Sequence, residues 1–152
     1  MVTRDEAAAK ILDAKQRRNL KWDDIASAVG RHKIWTTAAL LGQHPMSAEE
    51  SEKAVKVLGL GEGDAKDVAV ALQQFPMRGS LDTAVPVDPT IYRFYELIQV
   101  YGPTMKALIH EEFGDGIMSA IDFDMEIMRK EDPKGDRVVV TLNGKFLPYK
   151  KW

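Results

Sequence analysis

The sequence predicts an α+β chain, mainly α, and three observations predict it. Apolar residues recur at helical spacing through the first half. Past Gly116 their period drops from about 3.6 to about 2, the change from helix to strand. Between these regimes, at "FPMRGSLDTAVPVDPT", the composition shifts to Pro, Gly, Ser and Asp, as in a connector. The reading is therefore a five-helix bundle over residues 1–75, a linker over 76–88, and a second domain of helix plus small sheet over 89–152. With 152 residues, 45% hydrophobic and 29% charged, the chain can bury an ordinary core.

The bundle follows in order. "RDEAAAKILDAKQRRN" places Ala7, Ala8, Ile11, Leu12 and Ala14 at helical spacing, and "KWDDIASAVG" places Trp22, Ile25, Ala26 and Val29 before a stopping Gly30. A third helix is predicted across "HKIWTTAALLG" and a fourth across "SAEESEKAVKVLGL", with Ser47 as cap and Glu50 at capping-box spacing. The fifth covers "GDAKDVAVALQQF". Short helices joined by tight Gly-containing turns resemble helix-turn-helix DNA-binding domains. Charge opposes a DNA-binding role: residues 1–75 hold eleven Lys+Arg against eleven Asp+Glu, where a DNA reader shows a basic stripe. The third helix also spends its length on Ile34, Trp35, Ala38, Ala39, Leu40 and Leu41, which leaves few polar groups to read bases. Packing or oligomerisation is the better role for this bundle.

In the second domain Asp88 caps a helix whose first residue is Pro89, with φ preset and no N–H to leave unpaired. The helix is expected to reach Tyr101, break at Gly102-Pro103, and resume through "TMKALIHEEF" to Gly114. Strict alternation in "GIMSAIDFDMEIM" puts Ile117, Ser119, Ile121, Phe123, Met125 and Ile127 on one strand face, with Asp122, Asp124 and Glu126 on the other. A turn at "DPKGD" leads to "RVVVTL", and Asn143-Gly144 reads as a type I′ hairpin into "KFLPY", giving two helices and about three strands. So thin a sheet needs cover, and a second copy of the chain is the simplest source.

Composition narrows the chemistry. A formal charge of −2 gives no global pull on nucleic acid or anionic membrane, so any anion selectivity is local. No cysteine is present, which removes disulfides, thiolate nucleophiles and Cys-ligated zinc. His32, His44 and His110 lack ligand spacing; Asp115, Asp122 and Asp124 lack the Ca²⁺-loop pattern; no Gly-rich phosphate cradle occurs. Neither a metal nor a nucleotide cofactor is expected on these grounds. No stretch reads as a secretory leader or a membrane span, so a soluble, cytoplasmic protein is expected.

Against this background "IYRFYELIQVYG" stands out. Ile91, Phe94, Tyr95 and Ile98 form one apolar face, while Arg93 and Glu96 share another with Leu97 and Val100. An exposed pair of this kind is worth only ~0–1 kcal/mol and needs no apolar flanks. A buried one rarely favours stability and is better explained by a task, such as gripping a small anion with the Arg fork while Glu fixes the guanidinium. The flanks therefore predict burial in an interior seam. Ser119 interrupts an apolar strand face; with no nucleophile elbow around it, it reads as a hydrogen-bond donor rather than a nucleophile.

At "DPTIYRFYELIQVYGPTMKALIHEEFGDGIMSAIDF" the chain resembles cyanase, the cyanate hydratase or cyanate lyase family, and the likeness runs from "FPMRG" through "GKFLP" most strongly. The resemblance implies an active site of an Arg, a Glu three residues on, and a Ser in the following "GI.SAI" segment, matching Arg93, Glu96 and Ser119. It implies bicarbonate-dependent decomposition of cyanate to ammonia and carbon dioxide through carbamate, without cofactor, in a homodecamer of five dimers with sites shared between subunits. Bacterial members often carry Cys where this chain has Ser80 and Thr where it has Pro103, and their tails differ from "PYKKW". None of these departures touches the three matched residues; they bear on oligomer stability and thiol sensitivity. Two other readings of the residues are a transcriptional regulator with a ligand-sensing oligomerisation domain, and a purely structural oligomer.

Overall fold

The computed structural model describes residues 2–79, 81 and 83–152; Ser80 lies outside the described residues. The chain divides into two compact units, Met1–Ser80 and Leu81–Trp152. The first holds α1 (Arg4–Arg17), α2 (Trp22–Val29), α3 (Lys33–Leu40), α4 (Ala48–Leu58) and α5 (Glu62–Gln73). The second holds α6 (Pro89–Phe113), β1 (Gly116–Lys130) and β2 (Arg137–Pro148). Mainly helical α+β is the class observed, as the period change predicts.

Local chemistry sets the helix ends of the first unit. The Thr3 hydroxyl accepts from the Glu6 amide while the Glu6 carboxylate accepts from the Thr3 amide at 2.7 Å, and Ser47 and Glu50 repeat this reciprocal cap on α4. Gly30 ends α2 in the left-handed region, φ 83°, where a side chain would be strained. Ile11, Ile25, Leu40, Leu58, Val68 and Leu72 are fully buried, so all five helices contribute to one core. Arg4 fastens the end of α5: its guanidinium donates to the Ala71 and Leu72 carbonyls, each at 2.9 Å, and to the His44 carbonyl at 2.7 Å.

The second unit corrects three expectations. First, α6 is one helix of 25 residues that runs through Gly102-Pro103 without a break. Proline removes one backbone donor and crowds the residue before it; that residue is glycine here, with no Cβ to meet the pyrrolidine ring. Second, Asn143 and Gly144 do not turn. They lie inside β2, opposite Asp124 and Phe123, and Asn143 Nδ2 donates to Asp124 Oδ2 at 3.2 Å. The chain has already reversed at 131–136, where the Asp132 carboxylate accepts from the Lys134 amide at 2.8 Å and Gly135 takes a φ of 119°. The sheet among the described residues is thus two long antiparallel strands rather than about three.

Third, the alternation in β1 is interrupted. Between the pairs Met118–Phe146 and Phe123–Gly144, β1 has four residues, 119–122, opposite one, Lys145. This bulge shifts the faces, so Ile121 stands 97% exposed while Ser119 is buried, and the two do not share an inward face.

Candidate functional site

Asp88 fixes the start of α6 by accepting from the Thr90 and Ile91 amides at 2.9 and 3.0 Å, with Pro89 in the first turn. One turn further on, Arg93 Nη1 and Glu96 Oε2 meet at 2.9 Å. The carboxylate takes one edge of the guanidinium, which leaves the other N–H groups of a planar fork free to bind an anion bidentately. Within the single chain the pair is not buried: the side chains are 69% and 48% exposed, and α6 has no buried residue. The expected seam is absent here for a physical reason. Among the described residues this unit has a helix and a two-stranded sheet but no further layer of its own to lie across them.

Ser119 is held differently. The residue is 4% exposed, and its Oγ accepts from the Ile121 amide at 3.0 Å and the Asp122 amide at 2.9 Å. A serine hydroxyl has two lone pairs and one proton. Both lone pairs are engaged by the bulge, so the capacity left is that of a donor. Its bonds within the chain are local to β1, whereas Arg93 and Glu96 bond to each other on α6. The α6–β1 junction is closed by His110 Nε2, 3.2 Å from the Gly116 carbonyl, and by Phe113 stacked on Phe146 with ring centroids 5.2 Å apart.

The amides of Ile121 and Asp122, which hold the Ser119 hydroxyl, are the part of the candidate site that sequence reasoning missed. Strict alternation conceals a bulge; the available signal was the lone Ser on an apolar face, since Ser hydroxyls bond backbone amides two or three residues on. Among the described residues no group of three or more His, Cys, Asp or Glu side chains is placed to hold a metal ion. Likewise, no described helix is long and apolar enough to cross a membrane.

Comparison with known proteins covers both units. Residues 4–76 match the family "Cyanate hydratase, N-terminal", and residues 83–151 match "Cyanate lyase C-terminal domain". A cyanate hydratase of Thiobacillus denitrificans is 58% identical over 99% of this chain and 100% of its own length. One of Mycolicibacterium vanbaalenii is 56% identical over 97% of this chain and 94% of its own. Among solved structures, the crystal structure of cyanase from T. urticae aligns with a TM-score of 0.77 at 37% identity, covering 93% of this chain and 96% of that one.

Proposed function

The chain belongs to the cyanate lyase family, and from that premise we propose that it is a lyase that decomposes cyanate to ammonia and carbon dioxide, with bicarbonate as co-substrate and carbamate as intermediate. The observation that carries this reading is the whole-length identity of 58% to a cyanate hydratase, which spans both family domains. The regulator reading finds no comparable support, because residues 4–76 match the N-terminal domain of the enzyme itself.

Cyanate and bicarbonate are both monoanions, and bringing them together in water is opposed by charge and by lost freedom of motion. A site that holds them side by side removes much of the entropic part, which reaches ~7–11 kcal/mol for well-oriented reactants. Arg93 is the cation that neutralises and orients the two anions and stabilises the dianionic adduct formed when a bicarbonate oxygen attacks the cyanate carbon. Cleavage of the bicarbonate C–O bond in that adduct releases carbon dioxide and, with proton uptake at nitrogen, leaves carbamate. Carbamate takes a further proton and falls apart to ammonia and a second carbon dioxide.

Ser119 donates to an anion oxygen or to the cyanate nitrogen, the role its occupied lone pairs leave open. Glu96 serves chiefly through its pairing to Arg93, since an unpaired carboxylate would repel both substrates.

The exposed apolar side chains of the second unit, among them Phe94, Ile98 and Leu108 on α6 and Val138 and Leu142 on β2, are cover surface for further copies of the chain. We place the enzyme in the cytoplasm as a homodecamer of five dimers, in which contacts between subunits desolvate Arg93 and bring it to Ser119. Ammonia release from cyanate, measured with and without added bicarbonate, tests the reaction. Release that depends on bicarbonate is expected; no release under either condition overturns it.

A further inference from the structure

Gly144 has no obvious reason to be glycine. It is not at a turn, and its φ lies outside the left-handed region that favours glycine, unlike Gly30, Gly114 or Gly135. Space supplies the reason. A Cβ added at residue 144 would overlap the carbonyl oxygen of Ser119 and would lie 2.5 Å from Met118 Cγ and 3.3 Å from Met118 Sδ. Glycine inside a strand marks such a close approach of backbone. The Met118 side chain can move aside; the Ser119 carbonyl is main chain and moves only with Ser119.

Three observations converge on that point. Gly144 pairs with Phe123, the residue at which the ladder resumes after the bulge. The bulge is held by two amides donating to Ser119 Oγ. The backbone of residue 144 presses on the same serine from the opposite strand. We propose that Gly144 is a positioning residue of the reaction: its missing side chain lets β2 seat against the Ser119 main chain, and so fixes where the Ser119 hydroxyl proton points. This inference rests on the proposed role of Ser119 as a donor to substrate. It extends that role to a residue on another strand that touches no reacting atom.

The test is a double-mutant cycle on the full-length enzyme, with kcat and KM for cyanate at saturating bicarbonate measured for wild type, Ser119→Ala, Gly144→Ala and the double variant. A reacting group displaced by about 1 Å costs on the order of a hundredfold, so Gly144→Ala is expected to lower kcat by about that factor with KM little changed. In the double variant Gly144→Ala should add nothing to the loss from Ser119→Ala, because no hydroxyl remains to misplace. Hydrogen exchange of the 119–123 segment should show the Ile121 and Asp122 amides losing protection in Gly144→Ala while the pairs 124–130 with 137–143 keep theirs.

Undiminished kcat in Gly144→Ala, or losses that multiply in the double variant, overturns the positioning role and leaves the Ser119 reading standing. Full activity in Ser119→Ala overturns that reading and this inference with it. Should Gly144→Ala fail to assemble by sedimentation, Met118→Ala/Gly144→Ala removes the side-chain part of the overlap and keeps the carbonyl part. Low kcat is expected there too, and wild-type kcat in that variant would assign the pressure to Met118 and sink the proposal.

Discussion

The two units solve the problem of burial in opposite ways. The bundle closes on itself: among the described residues every buried Ala, Val, Ile, Leu and Met belongs to it, from Ala7 to Leu72. In the second unit the buried residues among those described are Pro86, ahead of α6, and Gly116 and Ser119 in β1, while Ile121 stands 97% and Val138 75% exposed. A core that is complete within one chain is a device for stability. An apolar surface left open, carrying a paired guanidinium and a tightly held serine, is what the proposed site built out of several chains requires. The difference teaches where to look for each property: stability in residues 2–79, and the proposed chemistry in 83–152.

Leu58→Ala is the sharpest way to press on the first half of that contrast. Leu58 is fully buried among five helices, and the truncation is expected to cost about 2–5 kcal/mol of stability, read as a lowered thermal or urea midpoint, with kcat unchanged in the protein that remains folded. Arg93→Leu presses on the second half. It should reduce ammonia release by about a hundred- to a thousandfold while leaving the melting midpoint in place, because the side chain supports no core. Near-normal turnover in that variant would remove Arg93 from the site. Loss of both turnover and stability would break the division of labour between the units.

The smallest effect concerns pH. Glu50 has its carboxyl held below the ordinary glutamate range, first by the hydrogen bond from the Ser47 amide, against the opposing effect of burial, and then by Arg31, whose Nε lies 2.5 Å away. A depressed folded value means that the folded bundle binds fewer protons than the unfolded chain. The stabilisation is therefore present above the ordinary glutamate range and lost as pH falls through the depressed value. Glu50→Gln keeps an acceptor for the Ser47 amide and loses the charge, so it should cost no more than about 1 kcal/mol at neutral pH. Its melting midpoint should then fall less steeply on acidification than that of the wild type; equal slopes would remove Glu50 from the acid response.

Legibility in the sequence follows the range of the forces involved. The Ser47 and Glu50 cap, the Gly30 stop and the Asp88-Pro89 start are set by residues within four positions of one another, and reading along the chain finds them. Asn143-Gly144 misleads for the same reason. Its local preference is a hairpin turn, but pairing with β1 along nearly the whole strand outweighs it. Of the candidate site, the spacing of Arg93 and Glu96 is local and legible, and so is the oddness of Ser119. The bulge that engages its hydroxyl depends on how two distant segments pair. Apolar flanks around Arg93 are legible as a face suited to being covered; local spacing holds no information on what would cover it.

Pro103 has one more consequence. Because it has no amide proton, the carbonyl of Gln99 lacks its rung in a helix about 37 Å long. A ladder missing a rung opens more readily on either side of the gap than as a whole, so the two halves of α6 can exchange their amides with solvent at separate rates. Arg93 and Glu96 both sit in the half that Asp88 anchors, on the same uninterrupted run of rungs.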